Sequence, residues 1–297
     1  MIPYLLANPT FFVAVIFIFG LLVGSFLNVV IHRLPIMLEK QWTQQCKLLL
    51  EESENSDPTD TKTKPTEKIF NLIWPGSHCP NCQHEIRAWE NIPVISYLFL
   101  RGKCANCKQK ISFRYPLVEL VSGLMAAAIA IQFGVTAQTF LALLLVWSLI
   151  SLTLIDFDHL LLPDNNTLPL LRLGLIVNAF DQFVSLEDAL WGAVGGYLSL
   201  WLVYWAFKLL TGKEGMGYGD FKLLAALGAW LGFQMLPLII LLSAFVGAVI
   251  GVSMIVIKGR DKEIPIPFGP YLAAAGFIAL LWGDTLVSSY LQFAGLQ

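Results

Sequence analysis

The sequence predicts an all-α polytopic membrane protein with about eight transmembrane helices and a small, zinc-ribbon-like cytoplasmic insert between helices 1 and 2. Of 297 residues, 56% are hydrophobic and only 13% are charged, whereas a soluble domain has about 25% charged residues. The apolar residues fall in windows of near-membrane length, and two C-x-x-C pairs occur in one polar segment. The net charge of −2 gives no sign of nucleic-acid binding.

The apolar windows predict where the helices lie. They cover residues 11–31, 117–133, 138–155, 168–183, 189–210, 221–233, 236–257 and 268–282. Several are shorter than the roughly 20 residues that a straight span needs, so seven or nine helices are the alternatives to eight. No A-x-A-like cleavage site follows the first window, which we interpret as a retained helix rather than a signal peptide.

These windows divide the chain into three parts. Residues 1–31 form the first transmembrane helix, residues 32–115 the cytoplasmic insert, and residues 116–297 a membrane-embedded domain. Within the insert, the polar stretch at about 51–68 predicts a disordered linker. The segment at about 75–114 holds both cysteine pairs and predicts a compact subdomain.

The distribution of Lys and Arg predicts the orientation in the membrane. Twelve of the 19 basic residues lie between the first and second windows, which places that segment in the cytoplasm. The remaining basic residues fall at ends or loops that eight helices would also place inside. Both termini are therefore expected on the opposite, outer side of the membrane.

The cysteines predict a metal site. Four of the five form two close C-x-x-C pairs: Cys79 and Cys82, Cys104 and Cys107. An odd count, with Cys46 left over, argues against a disulfide framework. Two knuckles with four thiolates suit tetrahedral Zn²⁺ in a structural role, with an iron–sulfur cluster or redox dithiols as alternatives. His78 and His84 flank the first pair and are either substitute ligands or surface side chains.

Two acids predict the chemistry. Asp156 ends the third window, and Asp220 begins the sixth, after a Gly217-Tyr-Gly turn. Both fall at the cytoplasmic membrane level. If close together, they share one proton, so that one carboxylate accepts a proton from water while the other polarises a carbonyl. The alternative is two helix-terminal acids, although Asp156 at a helix C-terminus opposes the helix dipole.

Three other charged residues in or near the windows have alternative roles. Asp158 is the replacement for Asp156 if the pair is misassigned. Glu119 and Arg172 lie inside predicted helices, where they would pair with each other, contact a substrate or extend to the membrane surface.

Several motifs occur together and in order along nearly the whole chain. They are Gly24-Ser-Phe-Leu-Asn-Val-Val-Ile-His-Arg-Leu-Pro35, both cysteine knuckles, Arg87-Ala-Trp-Glu-Asn-Ile-Pro-Val-Ile-Ser-Tyr97, Arg114-Tyr-Pro-Leu-Val-Glu-Leu120, the Asp156 segment, Gly217-Tyr-Gly-Asp220 and Pro265-Ile-Pro-Phe-Gly-Pro-Tyr271. In these motifs the chain resembles the bacterial type IV prepilin peptidases, which are GxGD-type intramembrane aspartyl proteases.

The resemblance implies an inner-membrane enzyme, surrounded by lipid, that cleaves the short basic leader of prepilins and pseudopilins at the cytoplasmic face. Asp156 and Asp220 would be the catalytic pair. It also implies N-methylation of the new N-terminus from S-adenosylmethionine, with Gly102 and Trp89 as candidate donor-binding residues; a turn glycine and a packed aromatic are the alternatives. Functions of other classes are a proton- or cation-coupled transporter and a zinc-bearing secretion scaffold.

Overall fold

A computed structural model describes residues 7–54, 70–258 and 266–295, and these ranges contain α-helices and no strand beyond isolated β-bridges. The helices are α1 (Pro9–Glu54), α2 (Ile95–Phe99), α3 (Arg114–Phe133), α4 (Ala137–His159), α5 (Asp164–Asn178), α6 (Leu186–Thr211), α7 (Tyr218–Leu231), α8 (Leu236–Lys258) and α9 (Gly269–Phe293). The short 3-10 helices Ala88–Asn91 and Phe233–Met235 complete the described secondary structure. The predicted all-α class is confirmed.

Six helices in the described ranges are long and apolar enough to cross a membrane, which confirms the membrane class. Each coincides with a predicted window. The other two windows form α5 and α7, which have 15 and 14 residues and are shorter than the roughly 20 that a span needs. The expected count of about eight therefore separates into six full-length helices and two short ones.

Helix α1 is much longer than the first apolar window. The predicted end was Ile31, but the helix continues to Glu54. Its second half is rich in Leu, Lys, Gln and Glu, which favour helix without favouring membrane. Residues 51–54, expected in the disordered linker, are helical. The rest of that predicted linker, and both chain ends, lie outside the described residues.

The chain forms two compact units. We call Met1–Ile18 together with Leu124–Gln297 the membrane unit, and Phe19–Gly123 the insert unit. The core of the membrane unit is α7, in which every residue from Asp220 to Leu231 is buried except Lys222. A helix that is apolar on all sides must be surrounded by others, and α7 packs against α5, α6 and α9.

Glycines allow α6 and α7 to touch backbone to backbone. A Cβ atom on Gly192 would lie 2.2 Å from the carbonyl oxygen of Gly228, and one on Gly196 would lie 2.7 Å from that of Leu224. Helices in membranes associate closely where small residues let their backbones approach. This close contact restricts the position of α7 relative to α6.

The C-terminal end of α7 is anchored by buried hydrogen bonds. Asn178 Nδ2 donates to the carbonyl oxygens of Ala229 and Trp230, at 2.8 and 3.0 Å. The Trp230 Nε1–H donates to the carbonyl of Leu170 at 2.8 Å. Buried polar groups normally need such partners, and here they join the middle and the C-terminal end of α5 to α7.

The insert unit packs the start of α3 against α1. A Cβ atom on Gly24 would lie 2.7 Å from Glu119 Cα, and Ser122 Oγ donates to the Gly20 carbonyl at 2.7 Å. Glu119 is buried and accepts a hydrogen bond from the Val94 N–H at 2.8 Å. Glu119 thus holds the loop before α2, whereas Arg172, the second intramembrane charge considered, is exposed on α5.

Candidate active site and metal centre

Asp156 lies in the last turn of α4. The helix ends at Leu160, which has a left-handed conformation (φ 51°) and donates its N–H to the Asp156 carbonyl at 2.9 Å. The Asp156 side chain is only 5% exposed, and its Oδ2 accepts the Gly269 N–H at 3.0 Å. A donor from the start of α9 therefore offsets the unfavourable position of this acid at a helix C-terminus.

Asp220 lies in the first turn of α7. Gly217 is the N-cap of that helix, and the Asp220 N–H donates to the Gly217 carbonyl at 3.2 Å. The side chain is 7% exposed and close enough to Asp156 for the two charges to interact. The structure thus brings together two acids that are 64 residues apart in the sequence. Their catalytic role remains a prediction.

Leu162 fills the space beside both acids. A Cβ atom on Gly219 would lie 2.7 Å from Leu162 Cβ, and one on Gly269 would lie 3.2 Å from Leu162 Cδ2 and 2.7 Å from Asp156 Oδ2. Both glycines are therefore required by close packing. Sequence reasoning identified the Gly217–Asp220 motif but missed the role of the Gly269 N–H as a partner of Asp156.

Three aromatic rings support the turn that carries Asp220. Tyr204 on α6 packs against Tyr218 and Phe221, with ring centroids 5.4 and 5.7 Å away, and Tyr218 and Phe221 are 5.4 Å apart. Aromatic pairs at such distances contribute beyond their burial. The residues on either side of Asp220 are thereby fixed against α6.

The neighbouring acids occupy different surroundings. Asp158, the alternative to Asp156, is exposed near the end of α4. Asp164 begins α5, and its two carboxylate oxygens accept hydrogen bonds from Lys222 Nζ at 2.6 and 2.8 Å. Burial beside Asp220 therefore distinguishes Asp156 from both.

In the insert unit, the four predicted cysteines converge. Their sulfur atoms all lie within 4.8 Å of one another. The Sγ–Sγ distances are 3.8 Å for Cys79 and Cys107 and 3.9 Å for Cys82 and Cys104. Sulfurs bound at 2.3 Å to a tetrahedral Zn²⁺ lie about 3.8 Å apart. The donor set and its spacing therefore fit zinc without rearrangement.

The two knuckles have the same construction. Each C-x-N-C sequence places an asparagine third, and Asn81 Nδ2 donates to Cys107 Sγ while Asn106 Nδ2 donates to Cys82 Sγ, both at 3.7 Å. Each asparagine thus reaches the last cysteine of the other knuckle. Such outer contacts orient metal ligands and balance their charge. The asparagine repeated in both knuckles is the sequence signal for these contacts.

Hydrogen bonds to the Cys107 sulfur favour its thiolate over the thiol. The backbone N–H of Gln109, helped by Asn81 Nδ2, lowers the pKa of the Cys107 thiol to about 6. The flanking histidines have other partners: His78 Nδ1 contacts the Gly76 carbonyl at 3.0 Å, and His84 Nε2 contacts Glu90 Oε2 at 3.2 Å. Neither belongs to the sulfur cluster.

The two candidate donor-binding residues lie between the knuckles. Gly102 has φ +65°, and a Cβ atom there would lie 2.8 Å from the Tyr97 hydroxyl oxygen. Trp89 is 61% exposed, with the Arg87 guanidinium carbon 5.3 Å from the centroid of its ring. Both observations are compatible with the structural alternatives for these residues, and neither tests donor binding.

Comparisons with known proteins cover both units. Residues 18–133 match the Bacterial Peptidase A24 N-terminal domain, and residues 143–252 match the Type IV leader peptidase family. The chain is 59% identical to the prepilin leader peptidase/N-methyltransferase of Stutzerimonas stutzeri over 99% of both chains. The proteins of the same name from Pseudomonas aeruginosa (100% of this chain, 99% of the relative) and Legionella pneumophila (99% of both) are 56% and 45% identical. No solved structure matches the chain at a significant level.

Proposed function

Because the chain belongs to the type IV leader peptidase family, we propose that it removes the leader from prepilins and pseudopilins and methylates the new N-terminus. It does so in the bacterial inner membrane, at the cytoplasmic face. The observation that carries the peptidase assignment is the pairing of two buried carboxyl groups, Asp156 and Asp220, at neighbouring helix ends. A scaffold does not require this arrangement, and a transporter would place such acids near the middle of the membrane rather than at one face.

The pair suits hydrolysis by an aspartic protease mechanism. Two adjacent carboxyl groups hold one proton between them. The ionised group takes a proton from water as the water attacks the peptide carbonyl, and the protonated group donates a hydrogen bond to the carbonyl oxygen. The Gly269 N–H orients one oxygen of Asp156, which leaves the other free to face Asp220 or the water.

The second activity transfers a methyl group from S-adenosylmethionine to the new N-terminal amine. We assign the donor site to the segment at about residues 85–103, with Gly102 and Trp89 as binding residues. An exposed aromatic ring beside a cation offers a stacking surface. Gly102 turns the chain tightly against Tyr97 and leaves backbone groups nearby accessible.

The four cysteines hold a structural Zn²⁺ in this proposal. Four sulfur ligands leave no open coordination position, so the ion has no direct part in either reaction. The insert unit has few buried side chains around the knuckles, and a metal supplies the folding free energy that such a small core lacks.

The test uses the purified full-length protein in detergent with a prepilin substrate, followed by mass spectrometry of the product N-terminus with and without S-adenosylmethionine. Asp156→Asn and Asp220→Asn should each abolish cleavage, because neither amide can exchange the proton. Asp158→Asn is the matched control and should retain cleavage. Cleavage by Asp156→Asn or Asp220→Asn would show that these two residues are not the catalytic pair. Loss of cleavage in Asp158→Asn alone would assign the catalytic role to Asp158.

A further inference from the structure

The first turn of α5 bonds to both helices that carry the acids. Asp164 accepts two hydrogen bonds from Lys222 on α7, at 2.6 and 2.8 Å. Two residues later, Asn166 Nδ2 donates to Ser151 Oγ on α4 at 2.9 Å. One short turn thus bonds to α4 on one side and to α7 on the other.

We propose that Asp164, Lys222 and Asn166 are positioning residues that keep Asp156 and Asp220 aligned for hydrolysis. This inference rests on the proposed peptidase function. None of these three residues is proposed to contact the substrate or the carboxylates of Asp156 and Asp220. Their effect on the reaction passes through the positions of α4 and α7.

The attachment points lie near the acids on rigid helices. Lys222 follows Asp220 by two residues, a rise of about 3 Å, and Ser151 precedes Asp156 by five residues, a rise of about 7.5 Å. Residues two apart on a helix do not face each other, so Lys222 points away from the side of α7 that presents Asp220. A sliding or rotation of either helix would therefore move a carboxylate and break one of these bonds.

Leu162 makes the same connection by packing. It lies between the end of α4 and the start of α5, and its Cβ occupies the space beside Gly219. The turn from Leu160 to Asp164 thus contacts α7 through an apolar side chain and an ion pair one helical turn apart. Two contacts of different kinds fix both the separation and the rotation of α7.

Because the ion pair is partly exposed, its loss should lower kcat without lowering the overall stability of the protein. The side chains of Lys222 and Asp164 are 28% and 53% exposed, and exposed ion pairs contribute little to overall stability. The pair can bias the position of α7 only by its own free energy. We therefore expect about a five-fold fall in kcat, equivalent to about 1 kcal/mol at 1.4 kcal/mol per tenfold, with an unchanged melting temperature.

The experiment is a double-mutant cycle on the full-length protein, measuring kcat, KM and melting temperature with a prepilin substrate. Asp164→Ala, Lys222→Met and their combination should each lower kcat about five-fold, because removal of one partner already breaks the bond. KM should stay constant. Lys222→Arg, which keeps the ion pair, should restore kcat to within about two-fold of the original, and Asn166→Ala should resemble Asp164→Ala.

The control is Asp188→Ala, which removes the exposed hydrogen bond from Ser185 Oγ to Asp188 Oδ2 at the start of α6, of comparable length at 2.8 Å. It should leave kcat within about two-fold. A 25-fold loss in the double variant, a change in KM, or a fall in melting temperature parallel to kcat would each overturn the positioning role. If the original protein cleaves no prepilin, the proposed function fails instead, and activity that survives Asp220→Asn rejects the pair itself.

Discussion

The two glycines of the Gly217-Tyr-Gly219-Asp220 motif should respond differently to the addition of one methyl group. In Gly219→Ala, the new Cβ would lie 2.7 Å from Leu162 Cβ. In Gly217→Ala, the nearest heavy atom would be Asp220 Oδ2 at 3.7 Å, an ordinary contact distance. The backbone of Gly217 (φ −82°, ψ 149°) also suits alanine. Only Gly219→Ala should therefore disturb the site.

The magnitude follows from the overlap. A contact at 2.7 Å is about 1 Å shorter than a normal carbon–carbon contact, and Leu162 Cβ is attached directly to the backbone, so it cannot rotate away. Overpacking of this kind costs about 1–3 kcal/mol. If the strain is relieved by moving the Asp220 turn, it corresponds to a loss of about 5- to 150-fold in kcat. Gly217→Ala should change kcat less than about two-fold.

The assay is single-turnover cleavage of a prepilin by the two variants in the same detergent, with the melting temperature measured in parallel. Gly219→Ala should lose activity, or stability, or both, within the stated range. Equal behaviour of the two variants would refute the reasoning, because it would show that Leu162 does not limit the space beside Gly219.

Three further outcomes are expected. Asn178→Ala should lower the free energy of unfolding by about 2–4 kcal/mol, because the carbonyls of Ala229 and Trp230 and the N–H groups of Phe183 and Val184 lose their partner; a loss below about 1 kcal/mol in denaturant titration would contradict this. Gly192→Ala should destabilise more than Gly195→Ala, since its new Cβ meets backbone rather than a ring of Phe233 that can move; equal melting temperatures would contradict it. Asn81→Ala and Asn106→Ala should each weaken zinc binding about 10- to 100-fold in competition with a chelator, with no change in prepilin cleavage kinetics at saturating zinc; unchanged affinity would remove their role at sulfur.

Local sequence patterns predicted the positions of most helices. They also identified side chains that the structure brings together, Asp156 with Asp220 and the four cysteines, whose functional roles stay predictions. The apolar windows predicted the positions of all the long helices, because a membrane requires continuous apolar runs. They counted α5 and α7 as spans, although these helices have only 15 and 14 residues. Helix α7 is apolar because protein surrounds it. The polar half of α1 gave no membrane signal, so its continuation to Glu54 was missed.

Local sequence patterns do not predict which residues the functional side chains contact. The Gly269 N–H donates to Asp156, which is 113 residues away in the sequence. Because nearly every residue has a backbone N–H, the residue type does not reveal such a donor. Lys222 and Asp164 are each ordinary helix-terminal charges when considered separately. Their pairing depends on the way α5 crosses α7, which is a property of the assembled helices.

The crossed contacts of the two knuckles have a consequence for the segment between them. Cys82 and Cys104 are neighbours in space, so the sulfur cluster closes residues 83–103 into a loop. Opening the sulfur cluster would free both ends of this loop together, because each asparagine depends on the opposite knuckle for its acceptor. The Val94 N–H would keep its bond to Glu119. If the cluster holds zinc, a chelator should therefore weaken the binding of a ligand on this loop, even one that touches none of the sulfurs.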